Sequence, residues 1–258
     1  MNNTRRHPEI VLPEADLQRE IRARTRRDFL IGGLAAAAGF GAYEWITNAR
    51  QVDGVPWPQR RILDFNGRLA RGYLRDSHLM PTYTADRVQY LKPNGNDGLD
   101  ADFDVSQWRL HVAAAESAPD LELRLSDIKA LPRVEMITRF CCIEGWSVIT
   151  SWAGARFSDF TEKYFPPGQS LPPYVYMATP DEGYYVGLDM KSALHPQTLL
   201  AYEHNGKPLE PQHGAPLRLV IPVKYGIKNI KRIGTIQYTT KRPADYWAEE
   251  GYDWFAGL

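Results

Sequence analysis

Two adjacent cysteines, Cys141 and Cys142, are the residues whose chemistry is easiest to interpret, and the chain of 258 residues has no others. One vicinal pair cannot build a disulfide framework. A thiol can be a small buried hydrophobe, and a thiolate is also a soft ligand suited to a transition metal. No His, Cys or carboxylate follows at regular spacing, which disfavours a zinc site. A packing role therefore stays open beside a metal that takes its other ligands from a cofactor.

A second stretch suited to chemistry is rich in glycine, proline and basic residues and runs from Gly206 to Lys231. An arginine such as Arg218 can contact a phosphate through two parallel hydrogen bonds, and Lys231 can add a point charge. Backbone N–H groups of a glycine-containing turn can cradle the same anion. The alternative is a solvated, charged turn without a ligand.

The segment Cys142–Ser147 has the sequence Cys-Ile-Glu-Gly-Trp-Ser. It resembles the Cys-[Val/Ile]-Glu-[Ala/Gly]-Trp-Ser motif of the sulfite oxidase-like molybdopterin-dependent oxidoreductases, and within them the bacterial protein-methionine-sulfoxide reductase catalytic subunits. The resemblance extends from about Val134 to Trp247. It implies a mononuclear molybdenum–molybdopterin cofactor whose metal is bound by Cys142, which would make this residue both the metal ligand and the catalytic one.

The same resemblance assigns further positions to cofactor binding. These positions are Thr179, His213, Arg218, Asn229, Ile230 and Lys231. The methionine-sulfoxide reductases have Asn-Gly-Ala-Pro where this chain has His-Gly-Ala-Pro at 213–216, a departure that weakens the subfamily assignment. The family also uses an Asn before the first core strand. The best counterpart lies around 81–86, where that Asn is absent, so no residue is assigned there.

One histidine has two interpretations. The segment Ala193–Leu199 has the sequence Ala-Leu-His-Pro-Gln-Thr-Leu and is similar to an Ala-Met-His-Pro-x-Thr-Leu stretch of the family. His195 could alternatively form hydrogen bonds with the backbone and fix a turn before the proline. Aromatic residues near the motifs are expected mostly in the core, although Trp146 or Tyr225 could line a substrate funnel.

The N-terminal 50 residues have the composition of an export signal. Residues 18–27 contain five arginines, ending in Arg26-Arg27, and an apolar run from Ile31 to Ile46 follows. This arrangement resembles a twin-arginine (Tat) signal, which predicts export to the periplasm. A membrane anchor is the alternative, because the length of the run reaches the lower limit for spanning a bilayer. The Tat machinery exports folded proteins, so the signal also favours a cofactor enzyme.

The remainder, residues 51–258, is predicted to be one molybdopterin-binding domain of α+β class. Nineteen prolines and twenty glycines argue against long helices beyond the N-terminal segment, and 47–80 is predicted to be an irregular lead-in. The predicted strands are Trp108–Ala113, Val134–Cys142, Tyr174–Ala178, Tyr184–Leu188, Leu217–Val223 and Ile233–Thr239, and the predicted short helices are Leu125–Leu131 and Phe157–Tyr164.

The formal net charge is zero, with 31 basic and 31 acidic side chains, which argues against nucleic-acid binding. By resemblance, the expected reaction is reduction of a sulfoxide, small or protein-bound, with electrons from a haem or quinone-linked membrane partner. A sulfite-oxidising enzyme is one alternative. A membrane-tethered binding module that keeps the fold without catalysis is another. The chain has no Cys-x-x-Cys-His, so a haem would belong to a partner.

Overall fold

The computed structural model describes residues 13–100, 102–113, 120–165 and 167–258. The chain divides into two compact units, residues 1–50 and residues 51–258. The described part of the first unit contains helix α1 (Glu14–Thr47), which is 34 residues long and has no buried residue. By length and composition α1 could cross a membrane, although a signal sequence meets the same criteria. Arg26 and Arg27 lie within this helix and are exposed.

The second unit combines two five-stranded sheets and the two-stranded sheet β1-β2 with five helices in its described part, which confirms the predicted α+β class. Its strands are β1 (Gln51–Val52), β2 (Val55–Pro56), β3 (Leu110–Ala113), β4 (Leu121–Leu123), β5 (Arg133–Cys141), β6 (Ser147–Arg156), β7 (Tyr174–Ala178), β8 (Tyr185–Asp189), β9 (Leu199–His204), β10 (Lys207–Pro208), β11 (Arg218–Val220) and β12 (Thr235–Thr239). Its helices are α2 (Trp57–Tyr73), α3 (Leu125–Lys129), α4 (Phe157–Tyr164), α5 (Met190–Ala193) and α6 (Tyr246–Glu249).

One sheet has the strand order β4-β3-β12-β7-β8, in which only the β3–β12 pair is parallel. The other has the order β10-β9-β6-β5, and β11 also pairs with β9. The largest cluster of buried apolar side chains includes Val112 and Met177 of the first sheet and Leu200 and Leu219 of the second. The two sheets therefore bury their apolar faces in a common core.

The structure overturns the expected lead-in at residues 47–80, because α2 occupies 17 of them. Its proline, Pro58, stands in the first turn, where a missing N–H breaks no helical hydrogen bond. Gly67 is buried against Asp253 and Phe255, where a Cβ would lie 3.2 Å from each. Proline and glycine here serve helix initiation and close packing, whereas the sequence analysis took them as breaks.

The predicted strand Leu217–Val223 is shorter in the structure, where β11 ends at Val220. The backbone N–H of Ile221 donates to the side-chain oxygen of Asn229 at 2.8 Å, where a continuing strand would use a backbone acceptor. The chain therefore leaves the sheet here and begins the loop that holds the basic residues.

Candidate cofactor site

Cys142 lies in the five-residue loop that connects β5 to β6. Its N–H donates to the carbonyl of Trp146 at 2.9 Å, and its carbonyl accepts from the N–H of Gly145 at 3.2 Å. Gly145 has φ +90°, a backbone conformation that favours glycine. These bonds fix a tight loop in which Cys142 is 7% exposed, and burial raises the pKa of its thiol.

An open cleft lies beside this loop. Its polar lining comprises Asn94, Asp97, Cys142, Glu144, Arg218, Asn229 and Lys231, and its apolar and aromatic lining comprises Phe140, Ile143, Trp146, Tyr184, Ile227, Trp247 and Tyr252. Four of the seven predicted site residues therefore meet in one cleft, although up to 89 positions separate them in sequence.

Arg218 is a buried cation in the wall of this cleft, 2% exposed. Its guanidinium donates to the carbonyls of His213 (3.0 Å) and Asn229 (3.1 Å), and the ring of Trp152 lies 4.5 Å away. Within the described residues no carboxylate pairs with it. Burial lowers the pKa of Arg218 to about 9, so at neutral pH the charge persists without a counter-ion. Such a group fits a site built for an anion.

Lys231 is the second cation of the cleft. Its Nζ donates to the carbonyls of Asn94 (2.7 Å) and Gly95 (2.8 Å), and none of the carboxylates in the described part of the chain forms an ion pair with it. Burial and then the charge of Arg218 lower the pKa of Lys231 to about 8. The two like charges face one cleft, and a bound phosphate would relieve both their repulsion and their desolvation.

Asn94 connects this basic side of the cleft to the cysteine loop, and the sequence analysis missed it. Its Nδ2 lies 3.8 Å from the Sγ of Cys142 and donates to Glu144 at 3.3 Å. Glu144 also accepts from the indole N–H of Trp146 at 2.9 Å. In sequence, segment 92–98 is Lys-Pro-Asn-Gly-Asn-Asp-Gly, a cluster of turn-forming residues. The single available signal was an asparagine followed by glycine upstream of the first core strand.

Segment 81–86, the best counterpart in sequence of the family's Asn-containing segment, lies outside the cleft. Tyr83 donates its N–H to the carbonyl of Ile137, and Thr82 forms a bridge with Thr138, so this segment lies along β5. None of the residues of 81–86 lines the cleft.

Two predicted contacts, His213 and Thr179, are buried and do not line the cleft. The His213 ring contacts the tilted ring of His204, with centroids 4.7 Å apart, and the His213 carbonyl accepts a hydrogen bond from Arg218. Burial and then the Arg218 charge lower the pKa of His213 to about 4, so this imidazole is neutral. Thr179 Oγ1 donates to Asp181 at 2.6 Å and accepts from the N–H of Tyr184 at 3.1 Å. Both residues support neighbours that reach the cleft.

Asn229 and Ile230 shape the loop that precedes Lys231. The Asn229 side chain accepts from Ile221 and donates to the carbonyl of Tyr225, so its amide is engaged in shaping the loop. Ile230 is fully buried, and its carbonyl accepts from the N–H of Leu219. Together they fix the course of the loop that ends at Lys231.

His195 lies outside the cleft. It follows α5, is 1% exposed, and its Nδ1 accepts from the N–H of Gln197 at 3.3 Å. This geometry agrees with the turn-fixing interpretation.

Among the described residues no group of three or more His, Cys, Asp or Glu could hold a metal ion. A metal at Cys142 would therefore need most of its ligands from a bound organic group. A dithiolene cofactor carrying a phosphate supplies them, and its phosphate would match Arg218 and Lys231. The donor set of the cleft thus fits molybdopterin.

Comparisons with known proteins agree with this chemistry. The family described as "oxidoreductase molybdopterin binding domain" matches residues 98–247. A protein of Azospira oryzae, provisionally named a protein-methionine-sulfoxide reductase subunit, is 34% identical over 241 residues, 92% of this chain and 87% of that protein. The protein-methionine-sulfoxide reductase catalytic subunit of Campylobacter jejuni is 36% identical over 178 residues, 60% of this chain and 58% of that protein.

Among solved structures, the sulfane dehydrogenase of Paracoccus pantotrophus superposes with a TM-score of 0.47 and 18% identity, over 55% of this chain and 40% of that one. The family match covers more than half of the chain. The chain therefore belongs to the oxidoreductase molybdopterin-binding domain family and is a molybdopterin-dependent oxidoreductase. The two relatives described above are named as protein-methionine-sulfoxide reductase subunits, the first of them provisionally.

Proposed function

We propose that this protein reduces a sulfoxide at a mononuclear molybdenum–molybdopterin centre bound in the cleft, with Cys142 as the protein ligand of the metal. One observation carries the proposal: a nearly buried thiol lines the same cleft as two cations that have no carboxylate partner among the described residues. The thiol suits a soft metal, and the cations suit a phosphate. The named activity of the relatives supplies the substrate class.

Each residue of the site then has a distinct role in holding the cofactor. Arg218 and Lys231 hold the cofactor phosphate, and Asn94 places an amide beside the Cys142 sulfur. The remaining predicted contacts are Thr179, His213, Asn229 and Ile230. They hold the backbone of the loops around the cofactor, since their side chains are engaged inside the protein or do not line the cleft.

When bound, the cofactor supplies transfer of an oxygen atom coupled to two electrons, and the protein binds and orients the substrate. The aromatic walls, which include Trp146, Trp247 and Tyr252, suit a neutral thioether or sulfoxide. Trp146 is thus a funnel residue, one of the alternatives predicted from sequence, whereas Tyr225 does not line the cleft.

Charge at the cleft argues against the sulfite-oxidising alternative. The only cations of the lining are Arg218 and Lys231, within the described residues, and the cofactor phosphate would neutralise both. The carboxylates of Asp97 and Glu144 also line the cleft and would repel an anion such as sulfite. We therefore expect turnover with methionine sulfoxide and little or none with sulfite.

The test compares wild-type protein with Cys142→Ser, both purified from a host that makes molybdopterin. Cys141→Ser is the matched control, because it removes the neighbouring thiol, which does not line the cleft. We expect about one molybdenum per wild-type chain, and loss of sulfoxide reduction in Cys142→Ser with its circular dichroism unchanged. Full activity in Cys142→Ser would reject the ligand assignment. A folded wild-type chain without molybdenum would favour the inactive binding module.

The proposed location is the periplasmic side of the inner membrane, reached by the Tat machinery, with electrons from a haem or quinone-linked membrane subunit. Support comes from the consecutive Arg26-Arg27 pair and the apolar helix α1. Replacing both arginines by lysine keeps the charge and should abolish export, which fractionation of periplasm and cytoplasm measures. The matched control Arg22→Lys/Arg24→Lys should export normally. Export of the Arg26→Lys/Arg27→Lys chain would contradict the Tat assignment.

A further inference from the structure

Helix α2 has an exposed apolar stripe, formed by Ile62, Phe65, Leu69 and Tyr73. These side chains are between 51% and 70% exposed, and their spacing of three or four residues places them on one face. A helix on the surface of a soluble domain usually turns its polar face to water. Within the described residues of 51–258 the apolar stripe is not covered.

The opposite face of α2 fixes the orientation of the stripe. Arg60 is 2% exposed and donates to the carbonyls of Asp53 and Tyr252, while Gly67 packs against Asp253 and Phe255. The helix cannot roll over to bury its apolar stripe without breaking these contacts. The outward apolar face is thus a stable feature of the folded domain.

Two arginines flank the apolar stripe. Arg61 and Arg68 are exposed, lie seven residues apart on one side of α2, and lie over the rings of Trp57 (5.7 Å) and Phe65 (5.9 Å). No carboxylate of the described residues forms an ion pair with either arginine. An apolar face with aromatic residues and a flank of arginines is the pattern of helices that lie in the surface of an anionic bilayer.

The short connection between α1 and α2 indicates which surface the apolar stripe can reach. Only residues 48–56 connect the end of α1, a helix long and apolar enough to cross a membrane, to the start of α2. A fully extended segment of nine residues reaches about 30 Å at most, and β1 and β2 make this segment turn back on itself. A membrane that holds α1 is therefore within reach of α2.

We infer that α2 is an interfacial helix, which lays its apolar stripe into the surface of the membrane that holds α1 and presents Arg61 and Arg68 to anionic lipid headgroups. The inference rests on the proposed membrane location of α1. It gives the domain a fixed face toward the bilayer, so that the surfaces beside α2 are presented to a membrane-embedded electron donor.

Photo-crosslinking of the full-length chain in its own cell membrane tests the inference. A photoreactive benzoylphenylalanine replaces Leu69 in one chain, Leu34 of α1 in a second, and Tyr90 in a third as the control. All three positions are exposed apolar or aromatic side chains, at 59%, 71% and 74%. Tyr90 follows Gln89, whose backbone N–H donates to the carbonyl of Ile149 in β6, so it belongs to a segment outside α2.

We expect phospholipid adducts at 69 and 34 and none at 90. Adducts at 34 without lipid adducts at 69 would overturn the interfacial helix and leave the anchor standing. A protein adduct at 69 in place of lipid would assign the apolar stripe to a protein partner and equally overturn the inference. Lipid adducts at 69 alone would support membrane contact by α2 and contradict the anchor, whereas adducts at neither position would reject both.

A charge variant separates lipid attraction from mere proximity. In proteoliposomes with anionic lipid, Arg61→Gln/Arg68→Gln should lower the adduct yield at 69 at least fivefold, since each arginine near an anionic surface contributes about that factor. Arg87→Gln, an exposed arginine outside α2, is the matched control and should change nothing. Equal yields in the double variant and the wild type would contradict the proposed headgroup contacts.

Discussion

Replacing Arg218 by methionine should separate the stability of the cofactor-free fold from retention of the cofactor. The lowering of the pKa of Arg218 to about 9 by burial corresponds to a penalty of about 5 kcal/mol on its charge in the empty site. Methionine removes this penalty. It also removes the contact with Trp152, worth about 1–2 kcal/mol, and leaves two carbonyls without donors, at roughly 1–3 kcal/mol each. The losses and the gain largely offset each other, so the free energy of unfolding should change by no more than about 3 kcal/mol in either direction.

Cofactor binding should respond much more strongly to the same change. Two charge-assisted hydrogen bonds to a phosphate contribute roughly 1.5–3 kcal/mol each, so their loss should weaken binding at least about 100-fold. Urea unfolding of chains from a host without molybdopterin synthesis measures the first effect. Molybdenum per chain after gel filtration, from a host that makes the cofactor, measures the second.

Lys228→Met is the matched control, because Lys228 is an equally buried cation in the same loop that pairs with Asp245. Its loss leaves a buried carboxylate without a partner and should cost about 3–5 kcal/mol of unfolding free energy. Two results would refute the reasoning. One is wild-type molybdenum content in Arg218→Met. The other is a loss of cofactor-free stability in that variant as large as in Lys228→Met.

Two further predictions concern pH. Lys231 is charged below its lowered pKa of about 8, so uptake of molybdopterin by the cofactor-free chain should weaken as pH rises from 7 to 9. Lys231→Met should bind more weakly and lose this dependence in a fluorescence titration of the pterin; an unchanged profile would contradict the assigned charge. For His213, burial lowers the pKa to about 4, whereas an unfolded chain takes up the proton near 6.5. The free energy of unfolding should therefore fall by about 3 kcal/mol as the pH is lowered from 6.5 to about 4. This fall should be smaller in His213→Asn, which urea unfolding midpoints at the two pH values measure.

Much of the fold could be predicted because local patterns determine it. Strands β5 and β7 and helix α4 lie within a residue of their predicted bounds, since alternating or periodic apolar residues leave few other ways to bury one face. Helix α2 could not be predicted by the same reasoning. Its proline and glycines are residues that usually interrupt helices, and only the packing of Gly67 against Asp253 and Phe255 explains why a glycine lies within this one.

The sequence by itself determined the residues with chemistry: the thiol at Cys142, the cations at Arg218 and Lys231, and the resemblance that implies molybdopterin. Residue type and short-range spacing suffice for such inferences because they fix ligand chemistry. Only the tertiary structure decided which side chains share the cleft. It brought Asn94 to Cys142 across 48 positions and placed His213 behind the site, because strand pairing and burial, which act between distant segments, set those distances.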